Sequence, residues 1–196
     1  MTRLNCRSWS SVLSEKSRVI RILAISGSLR SVSSNKALLR AAIALAPKGC
    51  AIAMYDGLGD LPHFNPDIEA SNPPSVMDFR TQLQRTDGVL ISSPEYAHGV
   101  PGVLKNALDW VVGSGEFVSK PVALLNVSPR ATYAQESLIE TISTMDGRIT
   151  AEASVTLPLL GRGLDEAGII ADVDISRSLQ SSLVAFVAAI MALNNV

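Results

Sequence analysis

The chain has 196 residues and a formal net charge of -1, and 47% of its residues are hydrophobic. That length suits one domain with a substantial buried core. The balanced charge argues against a basic nucleic-acid binder and against an acidic electron carrier that steers its partners by a large negative field. Its two cysteines, Cys6 and Cys50, form no paired motif and have no His-rich surroundings, so neither a disulfide framework nor a metal site is predicted.

The N-terminal segment, residues 1–18, scatters charged residues among polar ones without a continuous apolar stretch. We expect a disordered or extended tail rather than a secretory signal, with an organelle-targeting peptide as the alternative. The longest apolar run, residues 183–193, is too short to span a bilayer, so no membrane association is expected. Unpaired cysteines without a secretory signal favour a reducing compartment, the cytoplasm.

Residues 19–196 are predicted to form one domain in which short apolar strands alternate with amphipathic helices. Residues 19–26 carry apolar side chains on both faces, which is typical of a buried parallel strand. The alternation predicts a flavodoxin-like three-layer α/β sandwich with a five-stranded parallel sheet in the order 2-1-3-4-5. The later strands are predicted at residues 50–55, 87–93, 121–128 and 152–157, and the helices at 34–46, from 74, from 101, at 132–145 and at 175–193.

Ligands of such sheets bind beyond the carboxyl ends of the strands, near the point where the strand order reverses. The loop at residues 27–35 leads into a helix N-terminus, whose unpaired amides and partial positive charge attract phosphate. Because neither a Gly-x-Gly-x-x-Gly nor a Walker lysine motif is present, a terminal monophosphate is favoured. A helix cap with a solvated arginine is the alternative. The side chains that would bind the phosphate are Ser28, Arg30, Ser33, Ser34 and Asn35.

The loop after the third strand, residues 94–102, combines stiffness with backbone access. Pro94 and Pro101 stiffen it, and Gly99 and Gly102 allow a close backbone approach. With Tyr96, this composition suits a flat heterocycle, and an ordinary strand–helix connection is the alternative.

The remaining reactive side chains do not form a catalytic set. His98 is more typical of a surface residue than of a general acid, although both remain open. Lys105 and Asp109 have the spacing of a helical ion pair, and Trp110 suits the core or an interface. No nucleophile elbow or convincing carboxylate pair occurs, so we predict no catalytic residue and expect a bound cofactor to carry the chemistry.

Two segments resemble signatures of the NADPH-dependent FMN reductase family. ISGSLR at residues 25–30, followed by Ser33 and Asn35, is similar to its phosphate loop. PEY at residues 94–96 and VPGVLKNALDW at residues 100–110 are similar to its second signature, and residues 61–67 resemble its loop after the second strand. The resemblance covers about residues 19–150.

The resemblance implies a flavodoxin-like fold that binds FMN non-covalently, as a homodimer or homotetramer. It implies phosphate contacts in the first loop, contacts to the isoalloxazine edge in the second, and a border to the ring in the loop at residues 128–132. Many members have Asn where Ala97 stands and a glycine-rich loop where Arg130 stands. Arg130 has a nicotinamide phosphate or a partner subunit as alternative ligands. Beyond the five phosphate residues, the predicted cofactor-binding residues are Pro94, Glu95, Tyr96, Ala97, His98, Gly99, Ser128 and Arg130.

The resemblance also implies the reaction. NADPH or NADH would deliver hydride to the flavin, and a small acceptor would then take it up in a ping-pong sequence. Free flavin, a quinone, an azo compound or a metal oxyanion are the expected acceptors, and backbone N–H groups at residues 96–99 are expected to stabilise the reduced flavin. A flavodoxin-type carrier and a cofactor-free scaffold are the rival hypotheses. Trp110, Val111 and residues 56–72 are the expected subunit contacts.

Overall fold

The computed structural model describes residues 18–194. The predicted N-terminal tail lies outside the described residues except for Arg18, which pairs with the largely buried carboxylate of Asp87. The strands are β1 (Ile20–Ser26), β2 (Cys50–Tyr55), β3 (Gly88–Ser92), β4 (Pro121–Asn126), β5 (Arg148–Ile149) and β6 (Val155–Thr156). The helices are α1 (Ser34–Ala44), α2 (Pro66–Glu69), α3 (Pro74–Gln84), α4 (Gly102–Asp109), α5 (Thr132–Thr144), α6 (Glu166–Ala171) and α7 (Val173–Asn194).

The strands form one parallel sheet in the order β2-β1-β3-β4-β5, which confirms the predicted α/β class and strand order. β1 lies inside the sheet, where Ile22 aligns with Ile52 of β2 on one side and with Gly88 of β3 on the other. The order reverses at β1, so the carboxyl ends of β1 and β3 open a crevice between loops that leave the sheet in different directions.

The fifth strand differs from the prediction. Residues 152–157 contribute only β6, and β5 was missed in the sequence. Both short strands pair with β4, separated by a 3-10 turn at Ala151–Ala153. The hydroxyl of Ser154 accepts a hydrogen bond from the Leu124 amide at 3.1 Å, so a side chain satisfies β4 where the edge strand is broken.

Side chains alternate along the strands and bury two cores, one on each face of the sheet. Ile22, Ala24 and Leu90 lie in the core beneath α1, α6 and α7. Leu23, Ile25 and Ile91 lie in the opposite core, beneath α3, α4 and α5. This arrangement is the predicted three-layer sandwich.

Helix α7 has 22 residues, so it is longer than the apolar run considered in the sequence. By length and composition alone, its residues Val173–Leu193 pass as a candidate membrane span. Their stripe of Leu179, Leu183, Phe186 and Ile190 is fully buried against the sheet, as expected for a core helix. Two short helices, α2 and α6, were not predicted, and α1 ends at Ala44 rather than at residue 46.

Candidate functional site

A cleft of ≈ 490 Å³ opens at the carboxyl edge of the sheet, between the loops that follow β1, β3 and β4. Its volume lies within the range of small-molecule sites. These are the loops that the sequence predicted. The predicted residues that line the cleft are Ser28, Arg30, Ser33, Ser34, Asn35, Pro94, Glu95, Tyr96, Ser128 and Arg130.

The lining of the cleft and the set of predicted cofactor-binding residues differ in both directions. Ala97, His98 and Gly99 do not line the cleft but form a turn beside it. Ser93 and Asn126 are polar residues at or next to the end of apolar strands, a signal that the sequence did offer. Leu160 comes from the segment after β6, where no sequence pattern marked it. The unpredicted lining residues are Val32, Ser93, Asn126, Val127, Ala131 and Leu160.

The β1 loop presents unpaired donors to the cleft. Ser33 caps α1, accepting a hydrogen bond from the Lys36 amide at 3.4 Å. The amides of Ser34 and Asn35 precede the first intrahelical bond of α1 and therefore have no partner within the helix. Within residues 18–194, Arg30 forms no ion pair with a carboxylate. This loop therefore concentrates positive charge and N–H groups.

Two contacts fix the β1 loop against β3. The buried Asn35 side chain accepts a hydrogen bond from the Ser92 hydroxyl through Oδ1 at 2.8 Å. The Gly27 amide donates to the Ser92 carbonyl at 2.9 Å. A Cβ at Gly27 would lie 3.1 Å from Leu104 and closer still to the hydroxyl of Ser93, so the two loops meet only because this residue is glycine.

The β3 loop contains a strained two-residue turn. Tyr96 and Gly99 exchange two backbone hydrogen bonds of 3.0 Å, with Ala97 and His98 at the tip. Both tip residues are left-handed, with φ of 49° and 59°, a conformation that costs about 1–3 kcal/mol for non-glycine residues. The unusual backbone falls on Ala97 and His98, which the sequence did not indicate, whereas neither Gly99 nor Gly102 has a positive φ.

Glu95 links the β3 loop to α5. Its carboxylate accepts a hydrogen bond from the Ala134 amide at 2.9 Å, at the end of α5 where Ala131 supplies no side-chain cap. Its other oxygen lies 3.4 Å from Nδ1 of His98. The His98 side chain is 76% exposed and packs edge-on against Tyr133. His98 is therefore a surface residue, which supports the alternative given for it from the sequence.

The β4 loop repeats the local geometry of the β1 loop. The Asn126 side chain accepts a hydrogen bond from the Ser128 amide at 3.0 Å and donates to the Ala131 carbonyl at 3.3 Å. The Ser128 hydroxyl accepts from the Arg130 amide at 3.2 Å. These bonds hold the loop in place and leave the Arg130 side chain exposed at the cleft.

The part of the second signature that lies in and directly after α4 has a structural role. Asn106 and Trp110 both donate to the Pro62 carbonyl, at 3.0 and 2.7 Å, and Asn106 accepts from the Phe64 amide. They attach the long loop after β2 to α4. Trp110 is a core residue and the Lys105–Asp109 ion pair forms as predicted. Trp110 and Val111 are only 1% exposed, so the prediction that they contact another subunit was wrong.

The titratable groups with displaced pKa values lie away from the cleft. Burial raises the pKa of the Cys50 thiol, and burial with nearby Asp78 raises the pKa of Tyr55 to about 12. Burial lowers the pKa of Lys120, whose ammonium donates to two carbonyls at the end of α3. Within residues 18–194 no group of three His, Cys, Asp or Glu side chains has the geometry of a metal site.

Comparison with known proteins accounts for this arrangement. The chain is 36% identical to an NAD(P)H-dependent FMN reductase of Pseudomonas aeruginosa over 84% of its own length and 91% of that protein. It is 42% identical to a quinone reductase of Pseudomonas putida, over 59% of this chain and 63% of that one. The solved structure of FerB, a flavoenzyme NAD(P)H:(acceptor) oxidoreductase from Paracoccus denitrificans, superimposes with a TM-score of 0.73 at 29% identity and covers 89% of this chain and 98% of that one.

Residues 20–158 match the family described as NADPH-dependent FMN reductase. They contain all three loops of the cleft and both signatures noted in the sequence. The chain belongs to the NADPH-dependent FMN reductase family, which confirms the predicted family, the predicted class of enzyme and the predicted cofactors, FMN with NADPH or NADH.

Proposed function

We propose that the cleft binds FMN with its phosphate in the β1 loop. The observation that carries this proposal is the donor set of that loop: the first-turn amides of α1 that have no partner in the helix, the hydroxyls of Ser28 and Ser33, and the guanidinium of Arg30, which pairs with no carboxylate among residues 18–194. Such a set fits a terminal phosphate dianion, which accepts several charge-assisted hydrogen bonds. Asn35, held by Ser92, and Ser34 complete the proposed phosphate site.

The isoalloxazine ring is proposed to lie along the β3 and β4 loops. Pro94, Glu95 and Tyr96 line the cleft on one side, and Ser128 and Arg130 line it on the other. The carboxylate of Glu95 is already bonded to α5, so its contact with the ring would come from the backbone. In this proposal the turn at residues 97–99, which lies beside the cleft, borders the edge of the ring.

The family carries out NAD(P)H-driven, flavin-dependent reduction. FMN, when bound, supplies the redox chemistry, because its ring accepts hydride and returns two electrons to an acceptor. The protein's part is to bind, orient and supply charge. We infer a quinone as acceptor, since several relatives of this chain are named quinone reductases, and a ping-pong sequence, since one open cleft serves both substrates.

Backbone amides of the β3 turn are proposed to support negative charge on the reduced ring. The amides of Tyr96 and Gly99 are unavailable, because each donates to the other residue's carbonyl. Those of Ala97 and His98 donate to no acceptor within residues 18–194. The expectation that backbone N–H groups at residues 96–99 stabilise the reduced flavin is therefore restricted to the amides of Ala97 and His98. The strained conformation of these two residues sets the direction of their N–H groups.

Replacing Arg30 tests the phosphate assignment. Arg30→Ala removes one charged hydrogen-bond donor, so FMN binding should weaken by about 1.5–3 kcal/mol, a roughly 10- to 100-fold rise in Kd. Arg85→Ala is the matched control, because Arg85 is exposed at the end of α3, on the opposite edge of the sheet. Equal FMN affinities for the wild type and Arg30→Ala would refute the assignment.

Turnover separates this function from that of an electron carrier. The FMN-loaded protein should oxidise NADPH or NADH continuously when a benzoquinone is present. The carrier hypothesis predicts no sustained oxidation with any quinone or free flavin. The cofactor-free scaffold hypothesis predicts that added FMN is not bound at all.

A homodimer or homotetramer in the cytoplasm is also proposed. Leu29, Val32, Tyr96 and Leu160 are each more than half exposed, and all but Leu29 line the cleft, so a second subunit would cover apolar surface here. The half-buried Cys50 is a free thiol, which suits a reducing compartment. Sedimentation of the FMN-loaded protein as a monomer at micromolar concentration would contradict the oligomer.

A further inference from the structure

The β1 and β4 loops have the same pattern of hydrogen bonds, although they line different parts of the cleft. Each strand ends on a polar residue, Ser26 in β1 and Asn126 in β4. That side chain accepts a hydrogen bond from the amide of a serine two residues later, at 3.3 Å for Ser28 and 3.0 Å for Ser128. The serine hydroxyl then accepts from the amide of an arginine, again two residues later.

This pattern places two arginines on one cleft. Ser28 and Ser128 are both buried, whereas Arg30 and Arg130 are both exposed and line the cleft. Because β1 and β4 flank β3 in the sheet, the two arginine loops stand on opposite sides of the β3 loop. Each loop fixes the backbone of its arginine by a side-chain hydrogen bond.

Arg130 stands at the cleft without a carboxylate partner in the part of the chain that the structure describes. No carboxylate lies within ion-pair distance of its guanidinium among residues 18–194. The nearby N-terminus of α5 is already occupied by the carboxylate of Glu95, at 2.9 Å from the Ala134 amide. On this side of the cleft, the guanidinium is therefore the group left to attract an anionic ligand.

We propose that Arg130 binds a phosphate of the pyridine nucleotide co-substrate. The inference rests on the proposed function, in which Arg30 holds the FMN phosphate and the ring lies between the two arginine loops. NADPH and NADH both carry a pyrophosphate and NADPH carries a further phosphate, whereas simple quinones are uncharged. A planar guanidinium pairs with phosphate oxygens through two parallel hydrogen bonds, so Arg130 discriminates between the two substrates that share the cleft.

The test compares hydride donors with and without phosphate. N-benzyl-1,4-dihydronicotinamide carries the reacting ring but no phosphate. Arg130→Gln, as the FMN-loaded protein, should lose roughly 10- to 100-fold in kcat/KM for NADPH, the effect of one charged hydrogen bond. Measured at saturating FMN, the ratio of its kcat/KM for NADPH to its kcat/KM for the neutral donor should fall roughly 10-fold or more below the wild-type ratio. Arg148→Gln, an exposed arginine on β5 outside the cleft, is the control.

The outcomes are distinct. A loss with both NADPH and NADH supports the proposal with the pyrophosphate as the ligand, and a loss with NADPH alone supports it with the additional phosphate. Unchanged kinetics with both nucleotides, or an equal loss with the neutral donor, would overturn it. If the wild-type protein oxidises none of the three donors, the proposed function fails and this inference fails with it. If the wild type oxidises all three and Arg130→Gln matches it, only this inference fails.

Discussion

The carboxylate of Glu95 accepts a hydrogen bond from the amide of Ala134 at 2.9 Å and so caps a helix that begins 37 residues further along the chain. Helix α5 has Ala131 at its start and no local side-chain cap. One side chain thus completes the helix and joins the β3 loop to the β4 loop, the two segments proposed to border the flavin ring. The Glu95 carboxylate is 13% exposed, which keeps this bond largely out of solvent.

Replacing Glu95 should therefore affect stability. Glu95→Ala removes the cap and should lower the free energy of unfolding by about 0.5–2 kcal/mol, as measured by urea denaturation. Glu95→Gln keeps an oxygen that can accept from Ala134, so its loss should be smaller. Equal stability of Glu95→Ala and the wild type would show that the bond contributes nothing.

Replacing Ala97, which has a positive φ, by glycine should stabilise the fold. Ala97→Gly relieves the penalty of a positive φ and should raise the free energy of unfolding by up to about 1 kcal/mol. Ala70→Gly is the control, because Ala70 is exposed with a φ of -61°, and glycine there should cost about 0.4–1 kcal/mol. Destabilisation by both substitutions would contradict the strained turn.

Gly27 should not tolerate a side chain. In Gly27→Ala the new methyl group would meet Ser93 and Leu104, so the variant should lose about 1–3 kcal/mol of stability and bind FMN more weakly as the β1 loop shifts. Gly102→Ala is the control, since no atom lies within 4 Å of its Cβ position. Ser93→Ala in the Gly27→Ala background removes the nearest atom and should restore part of the loss.

The raised pKa of Tyr55 predicts that the free energy of unfolding depends on pH in the alkaline range. Its pKa is raised from 10.0 to about 12, chiefly by burial and then by the carboxylates of Asp78 and Asp60. Below pH 10.0 the tyrosine is neutral in both the folded and the unfolded state. Between pH 10.0 and about 12 the unfolded tyrosine ionises while the folded one stays neutral, so the free energy of unfolding falls by on the order of 2–3 kcal/mol over this interval. The unfolding free energy of Tyr55→Phe should fall less over that interval, and parallel pH profiles would contradict the assignment.

The central architecture was predictable because its signals are local. Buried strands such as residues 19–26 and 121–128 are recognisable as apolar runs, and each is followed by a polar loop and an amphipathic helix. This alternation predicts that the strands of the sheet are parallel. The broken edge was not predictable, because two-residue strands such as β5 carry no periodicity and are defined only by pairing with β4. For the same reason the run at residues 152–157 looked like a whole strand.

The site followed the same division. Serines, Arg30 and Asn35 cluster within one loop, so their convergence could be predicted from their neighbourhood. The cap of Ala134 by Glu95 joins residues 39 positions apart, and no sequence pattern reports it. The turn at Ala97 and His98 was not predicted, because a positive φ at non-glycine residues has no local sequence signal and is imposed here by the reciprocal bonds of Tyr96 and Gly99.

An anaerobic half-reaction experiment tests the central claim most directly. The purified protein, loaded with FMN and freed of excess cofactor, is titrated with NADPH while the visible flavin absorbance is followed, and after removal of nucleotide a benzoquinone is added. The account predicts that one equivalent of NADPH bleaches the bound flavin, that one equivalent of quinone restores it, and that Arg30→Ala needs far more FMN to show either change. Protein that stays colourless after FMN loading, or bound flavin that NADPH and NADH leave oxidised, would contradict it.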